Sequence, residues 1–334
     1  MASVGATDLD GLEARIEGHR RELTGYCYRM LGSAFEADDA VQETMIRAWK
    51  AVDRFEGRSS LRAWLYRIAT NVCNDALNGR QRRARPVDLS EPFSPGVGTV
   101  GDPSEGARWL GPVPDTHVLG EAGAGADPAE VAEAREGIRL AFVAALQHLP
   151  ARQRAVLILR EVLRWRAAEV ADVLGTTVAS VNSSLQRARA RLDAVAATAT
   201  DVLAPLDAAQ QAVLDSYVRA FERYDLVLLA SLLHAEATLS LPPYDTWMRG
   251  PSDICDWYLG PGVGCQGSRL VPIAANGSPA YGQYRPSGPG GAFEPWAIQV
   301  VELVDGRIAA LNCFLDVERL FPLFGLPPTL DATT

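Results

Sequence analysis

The amino-acid sequence predicts a multidomain protein in which two all-α domains precede one α+β domain. Three observations lead to this prediction. Apolar residues recur at helical spacing up to about residue 85 and again from Asp127 to Ala196. The stretch between them, Pro86 to Asp127, is rich in Gly, Pro, Ser and Ala and has no period. Beyond about residue 205, one helical stretch is followed by short β segments, as in an α+β domain.

The front of the chain has the pattern of a helical bundle. Helices are predicted within residues 11–30, from Ala37 to Val52 and from Ser60 to Gly79, followed by a basic exit from Arg80 to Arg85. The segment from Pro86 to Asp127 is interpreted as a flexible linker.

A second helical group follows this linker. Asp127-Pro128 is a typical helix start, because Asp caps the helix and Pro fits its first turn. Helical spacing then continues over four stretches: Ala129 to Gln147, Ala151 to Glu161, Ala167 to Leu174 and Val178 to Ala196. The last two, separated by Gly175, predict a helix-turn-helix, with Val170, Leu174, Val178 and Val181 in its interior.

The back of the chain predicts an α+β domain. A helix is expected from Asp207 to Ala230, a strand from Thr238 to Leu241 and a short helix from Ser252 to Leu259. Two later β segments are joined by Asp305-Gly306, which favours a hairpin. The chain end from Arg319 to Pro327 is so apolar that it is expected to dock on another surface.

Composition and charge narrow the class of protein. The chain has 334 residues and a net charge of −9, yet the arginines cluster near the front, and local clustering governs contact with phosphates. No apolar run is long enough to cross a membrane, and the acidic N-terminus is unlike a signal peptide. The five cysteines form no C-x-x-C pair, which favours reduced thiols in the cytoplasm, without a metal or another cofactor.

Two motifs at the front carry a family resemblance. The stretch from Asp38 to Trp49 predicts a helix with an acidic start, and acids in a first turn can also simply favour the helix dipole. It continues without a gap into the loop from Phe55 to Ser60 and a helix containing Trp64, Ile68 and Asn71. Together these pieces resemble region two of a bacterial sigma factor of the extracytoplasmic-function (ECF) group. Trp64 and Leu65 are interpreted as core residues.

This resemblance implies two binding surfaces. In the family, the polar stripe of the first helix binds a coiled-coil element of core RNA polymerase, and the loop and second helix read a flipped base of the −10 element. The residues expected to bind core polymerase are Asp38, Asp39, Gln42, Glu43 and Ile46. Those expected to contact −10 DNA are Phe55, Arg58, Ser59, Ser60, Arg62, Asn71, Asn74, Arg80, Arg82 and Arg83, with the arginines placed for phosphate contact.

The predicted helix-turn-helix extends the resemblance. It is preceded by Leu149-Pro150-Ala151-Arg152-Gln153-Arg154, which looks like the opening of sigma region four. A helix in the major groove can pair Asn or Gln with adenine and Arg with guanine. The residues expected to contact −35 DNA are Thr177, Ser180, Asn182, Ser183, Gln186, Arg187 and Arg189. Many relatives carry more Arg at Asn182-Ser183-Ser184, so the preferred −35 sequence stays open.

The back domain resembles the SnoaL-like branch of the fold shared by nuclear transport factor two and ketosteroid isomerase, a cone-shaped sheet around a pocket. The resemblance rests on the run from Leu241 to Trp247, with Gly277, Tyr281-Gly282-Gln283-Tyr284 and Phe293-Glu294-Pro295-Trp296. Candidate pocket residues are Tyr244, Asp245, Trp247, His234 and Trp296. No acid–base dyad stands out, which favours a regulatory or ligand-sensing role over catalysis.

The resemblance as a whole implies an alternative sigma factor with a fused regulatory domain, which binds core RNA polymerase and promoter DNA. Its domains would be region two (11–85), the flexible linker (86–127), region four (128–198) and the SnoaL-like domain (206–330). Two alternatives stay open, a helix-turn-helix regulator that senses a small molecule and a DNA-binding fusion to a cyclase- or isomerase-type enzyme. A small-molecule ligand or an anti-sigma protein is a further partner left open, and no membrane partner is expected.

Overall fold

The computed structural model describes residues 6–55, 57, 59–95, 103, 107–119, 127–195 and 207–331. The chain forms two compact units. The front unit comprises residues 1–83, 116–125 and 140–197, and the back unit comprises residues 84–115, 126–139 and 198–334. Within the described ranges, no helix is long and apolar enough to span a membrane.

All α-helices before residue 233 precede the first strand, and the strands lie in the last third of the chain. In chain order they are α1 (Ala6–Glu17), α2 (Arg20–Leu31), α3 (Ala34–Lys50), α4 (Leu61–Leu77), α5 (Asp115–Val118), α6 (Pro128–Glu136), α7 (Leu140–Gln147), α8 (Ala151–Leu157), α9 (Ala167–Val173), α10 (Val178–Val195), α11 (Ala208–Arg223), α12 (Leu226–Leu232), β1 (Leu233–Ser240), β2 (Trp247–Arg249), α13 (Gly250–Leu259), β3 (Arg269–Ala275), β4 (Ser278–Arg285), β5 (Glu294–Val304), β6 (Arg307–Phe314) and α14 (Val317–Leu323).

Helices α2, α3 and α4 form the bundle predicted for the front of the chain. Gly32 ends α2 with φ +70°, and the Ser33 hydroxyl caps α3 by accepting a hydrogen bond from the Glu36 N–H. In the core, the hydroxyls of Tyr26 and Thr70 lie 2.8 Å apart and join α2 to α4. Leu65 is fully buried and Trp64 is half-buried.

Helices α9 and α10 form the predicted helix-turn-helix. Gly175 makes the turn with φ +57°, and Val170 and Val181 are buried between the helices. The prediction of Val178 as an interior residue is wrong, because its side chain is 43% exposed. Val178 begins α10, which buries the stripe of Val181, Leu185 and Ala188 instead.

One mixed sheet organises the back unit. Its strand order is β2-β1-β6-β5-β4-β3, with β1 parallel to β6 and all other pairs antiparallel. The predicted hairpin is present, and Asp305 and Gly306 turn the chain with φ of +49° and +68°. The predicted helix from Asp207 to Ala230 divides into α11 and α12, because Tyr224 adopts φ +57° and Asp225 caps α12.

Much of the predicted flexible linker is ordered on the back unit. Ala84 pairs with Trp109, and the Phe93 N–H donates to the Trp247 carbonyl at 2.7 Å. The rest of the linker, residues 96–102, 104–106 and 120–126, lies outside the described residues. At 84–95 and 107–115, the proline-containing linker therefore forms irregular backbone that packs on the back unit.

Asn276 fastens two parts of the chain to the back unit. Its side-chain oxygen accepts from the Val113 N–H at 3.0 Å, and its nitrogen donates to the Ile138 carbonyl at 2.7 Å. Residues 126–139 accordingly belong to the back unit. The helix predicted from Ala129 to Gln147 is broken between α6 and α7, so the compact region-four group begins about twelve residues later than the predicted boundary at residue 128.

The apolar chain end docks on its own sheet. The ring of Phe321 packs edge-on against Tyr284 at 5.1 Å, and the Tyr284 hydroxyl donates to the Pro327 carbonyl at 2.8 Å. Phe293 and Leu330 exchange a pair of backbone hydrogen bonds. The surface that the apolar tail requires is therefore provided within the back unit.

Candidate functional site

A polar and apolar stripe runs along the solvent side of α3. Asp38, Asp39 and Gln42 are exposed, and the half-buried Glu43 accepts from Arg47 at 2.6 Å. Ile46 is 40% exposed, and one turn later Trp49 is 44% exposed. The opposite face, with Val41 and Met45, is buried, so folding does not require the stripe residues. Large exposed apolar side chains bordered by carboxylates are typical of a protein-binding surface.

Sequence reasoning did not include Trp49 in this stripe. The signal was present, because Trp49 follows Ile46 by three residues on the same helix and therefore lies on the same face. Ile46 is the last of the residues predicted to bind core polymerase.

The loop before α4 and the exposed face of α4 lie close to each other. The Ser60 hydroxyl caps α4 by accepting from the Ala63 N–H at 3.1 Å. Asn71 is exposed to solvent. Asn74 is half-buried, and its side-chain oxygen has no hydrogen-bond partner among the described residues. Phe55 packs on Trp64 with ring centroids 5.0 Å apart. Ser59 is half-buried, and Arg58 lies outside the described residues.

The basic exit after α4 is engaged in the front unit. Arg80 and Arg83 both pair with Glu36 of α3, at 3.5 and 2.8 Å. Arg82 contacts the ring of His148 at 2.6 Å. Arg80 and Arg82 remain exposed, whereas Arg83 is mostly covered, so the first two retain the accessibility that phosphate contact needs.

The second helix of the helix-turn-helix presents one polar face. The residues predicted for −35 contact are all solvent-accessible, and Ser180 is the least exposed of them; they are Thr177, Ser180, Asn182, Ser183, Gln186, Arg187 and Arg189. Arg187 donates to the Ser183 hydroxyl at 2.6 Å, and Arg189 pairs with Glu161 at 2.8 Å. Asn182, Gln186 and Arg189 line one shallow groove.

The two helical groups of the front unit pack directly on one another. Trp165, which precedes α9, is buried against Tyr66 of α4 with ring centroids 4.9 Å apart. The Arg62 guanidinium lies 4.9 Å from the Trp165 ring while it pairs with Glu22 at 2.8 Å. Arg67 of α4 donates to the Asp172 carbonyl at the end of α9, at 2.7 Å.

A buried arginine completes this contact. Arg154 of α8 donates to the Met30 carbonyl at the end of α2 and to the Gln147 side chain at 2.8 Å. Burial lowers the pKa of Arg154 to about 10. The charge remains at neutral pH. Four carbonyl oxygens accept from the two terminal nitrogens of Arg154, while its buried Nε has no hydrogen-bond partner among the described residues.

The back unit contains a partly open cavity of about 300 Å³. Of the candidate pocket residues, Tyr244 and Trp296 line its wall. Trp247 does not line it, because its indole N–H is turned to the Ser90 carbonyl at 2.9 Å. Asp245 and His234 lie outside the lining as well; the Asp245 carbonyl accepts from Ser90, and His234 accepts from the Glu236 N–H at 3.1 Å.

Comparisons with known proteins agree with this arrangement. Residues 15–83 match the family model Sigma-70 region 2, and residues 139–192 match Sigma-70, region 4. The chain is 46% identical over 325 residues to the ECF RNA polymerase sigma factor SigG of Mycobacterium tuberculosis (strain ATCC 25618 / H37Rv), a match that covers 95% of this chain and 84% of that protein. It is 27% identical over 308 residues to SigJ of the same strain, covering 89% of each.

A crystal structure of the Mycobacterium tuberculosis extracytoplasmic function sigma factor SigJ has the same fold. It matches with a TM-score of 0.58 at 23% identity and covers 94% of this chain and 99% of that chain. The predicted fold class is confirmed in having two sigma helical domains followed by an α+β domain.

Two sigma-type helical regions, one with an exposed acidic stripe and one with a helix-turn-helix, define a promoter-recognition factor of the sigma-70 class. The chain belongs to the ECF RNA polymerase sigma factors. It is an alternative sigma factor, which binds core RNA polymerase and promoter DNA and has no reaction of its own. This membership decides against the two alternatives, a free-standing helix-turn-helix regulator and an enzyme fusion.

Proposed function

We propose that the α3 stripe is the surface that holds core RNA polymerase. The exposure of Asp39, Ile46 and Trp49 on a helix whose other face is buried carries this proposal. The acids would meet a basic surface of the polymerase, and the two apolar side chains would lose water on docking.

Asp39 offers a sharp test, because its carboxylate is exposed and takes no part in an ion pair among the described residues. Asp39→Arg should weaken the affinity for core polymerase by at least about tenfold, since like charge across an interface costs several kcal/mol. Glu13→Arg makes the same charge change at an exposed position of α1 and should leave the affinity unchanged. Equal affinities of the two variants would contradict the proposed contact.

The −10 and −35 contacts are proposed for two different faces. Asn71 and Asn74 of α4, with the loop of Phe55, Ser59 and Ser60, would hold the flipped base, and Arg80 and Arg82 would meet phosphates. The exposed face of α10 would read the −35 element.

Two substitutions separate these steps. Asn71→Ala should impair promoter opening, followed by permanganate footprinting, with little effect on closed-complex affinity. Arg187→Ala should weaken −35 binding by about 1–3 kcal/mol if it reads a base. An equal loss of both steps in both variants would refute the assignment.

The closed arrangement of the front unit further implies that the two sigma regions separate on DNA. Elements centred near −10 and −35 lie about 25 base pairs apart, roughly 85 Å at 3.4 Å per base pair. In the closed unit, α4 and α9 are in hydrogen-bonding contact through Arg67 and Asp172. Both readers therefore engage one promoter only after this contact opens.

The back unit is proposed to regulate this opening. The back unit holds the segment that leaves region two, where the Phe93 N–H donates to the Trp247 carbonyl, and the segment that enters region four, where the Asn276 side chain donates to the Ile138 carbonyl. A change in the back unit would thus alter the connection between the two DNA readers. Its site of action would be the cytoplasm, where core polymerase transcribes.

A further inference from the structure

The cavity of the back unit has the features of a small-molecule site. Its volume of about 300 Å³ lies at the lower end of the range for ligand pockets, about 300–1,000 Å³. Flat aromatic side chains form much of the wall, with Tyr244, Trp257, Tyr258 and Trp296 among them. Such a wall favours a compact ligand with a flat ring system.

One cation belongs to this apolar wall. Arg285 lies with its guanidinium carbon 3.6 Å from the Trp296 ring centroid, and its Nε donates to the Gly264 carbonyl at 2.6 Å. No carboxylate lies within ion-pair distance of Arg285 among the described residues. The stack and the backbone contact fix the guanidinium in place while leaving its terminal nitrogens without an anionic partner.

The amide and thiol groups of the wall are already satisfied or are unsuited to proton transfer. Gln283 donates to Ser268 at 3.0 Å and accepts from Gln299 at 2.8 Å. Burial raises the pKa of the Cys265 and Cys313 thiols, so both stay protonated at neutral pH. The described lining contains no Asp, Glu or His, which favours binding over turnover.

We propose that this cavity binds a compact aromatic carboxylate, whose ring lies among the aromatic side chains and whose carboxylate pairs with Arg285. A guanidinium offers two parallel N–H donors that match a carboxylate. The proposal does not depend on how the sigma regions bind polymerase or DNA.

The cavity wall also touches the linker. Trp257 lines the cavity on one side and packs edge-on against Phe93 at 6.3 Å on the other. A ligand that moves the Trp257 ring would therefore also move Phe93, which lies in the segment that leaves region two.

Calorimetric titration of the full chain with naphthalene-2-carboxylate tests the proposal, and 2-naphthylmethanol is the neutral probe of similar shape. We expect the acid to bind at least about tenfold more tightly, as one charge-assisted hydrogen-bonded pair predicts. Arg285→Gln should remove this preference. Arg269→Gln is the matched control, because Arg269 stacks on Phe293 in the same unit, with its guanidinium carbon 5.4 Å from the ring, but does not line the cavity.

A second variant tests whether the probes bind in the cavity while the protein stays folded. Leu315→Trp fills the cavity from its wall and should abolish binding of both probes while the thermal melt stays cooperative. Equal affinity for acid and alcohol, an equal loss in Arg269→Gln and Arg285→Gln, or no binding of the acid by the wild-type chain would each overturn the proposal.

Discussion

Replacing Trp165 by Ala should open the front unit. The ring of Trp165 packs on Tyr66 at 4.9 Å and lies 4.9 Å from the Arg62 guanidinium, and both partners belong to region two. Its indole nitrogen has no hydrogen-bond partner among the described residues, so truncation removes ring contacts only.

The size of the effect follows from those contacts. An aromatic pair contributes about 0.5–1.5 kcal/mol and a cation–π contact about 0.5–2 kcal/mol. Their loss of about 1–3.5 kcal/mol, before the lost burial of the ring is added, shifts the equilibrium between closed and open forms at least about 5-fold toward the open form. Trp165→Phe keeps a ring against Tyr66 and should shift it less.

Energy transfer between dyes on noncanonical amino acids at the exposed positions Asp53 and Arg191 would report the opening. Transfer efficiency should fall in Trp165→Ala, remain intermediate in Trp165→Phe and be unchanged in the control Arg21→Ala. Circular dichroism must show that the total helix content is unchanged. Wild-type transfer in a folded Trp165→Ala protein would refute the idea that these ring contacts hold the regions together.

Three further outcomes are expected. Asn276→Ala leaves two buried backbone groups without their hydrogen-bond partner, which costs about 2–6 kcal/mol, and should speed proteolytic cleavage within residues 107–139. Asn276→Asp keeps the acceptor for the Val113 N–H and should be cleaved more slowly than Asn276→Ala. Equal cleavage of the two variants would contradict the proposed role of Asn276. Burial raises the pKa of Glu302 above its ordinary 4.5, against the lowering effects of Arg85 and Arg139, so the stability linked to this group is present below about pH 4.5 and is lost as pH rises through the raised pKa. Glu302→Gln should therefore flatten the fall of unfolding free energy with rising pH, and an unchanged pH profile would show that the carboxyl is not the cause. Gly175→Ala should destabilise the helix-turn-helix by about 1–2 kcal/mol through its φ of +57° alone, because a Cβ there meets no atom within 4 Å, and Gly175→Asn should cost less in the same melt.

The sequence predicted the helices and the hairpin well where local signals were strong. Helical spacing around Val41 and Met45, the caps at Ser60 and Asp127, and the Asp305-Gly306 turn all act over a few residues. Family membership and the sigma-factor function followed from the same motifs. The roles of individual site residues remain predictions.

What the sequence could not show depends on distant partners. Glycine and proline in the segment from Pro86 to Asp127 indicate irregular backbone, but not whether another part of the chain holds it. That depends on Asn276, more than 130 positions beyond its partner Ile138. The pocket likewise could not be assembled from polar residues alone: Trp247 is turned toward Ser90, while Arg285, which was not among the candidates, lies on the wall.

The docked linker changes what connects the two DNA-reading regions. As a free coil, the chain from Ala84 to Arg139 could reach up to about 190 Å when fully extended, far beyond promoter spacing. Arginines at both ends of this stretch, however, act on one buried carboxyl. Burial raises the pKa of Glu302, and the guanidinium groups of Arg85 and Arg139 oppose that rise. Both ends of the connection between the two readers are therefore held by the back unit. The length of chain available to separate the readers would depend on how many of these side-chain contacts are formed. The back unit would then determine which distances between the −10 and −35 elements the protein accepts. Each contact that breaks would lengthen the free connection and lower the effective concentration of one DNA-reading region at the site of the other.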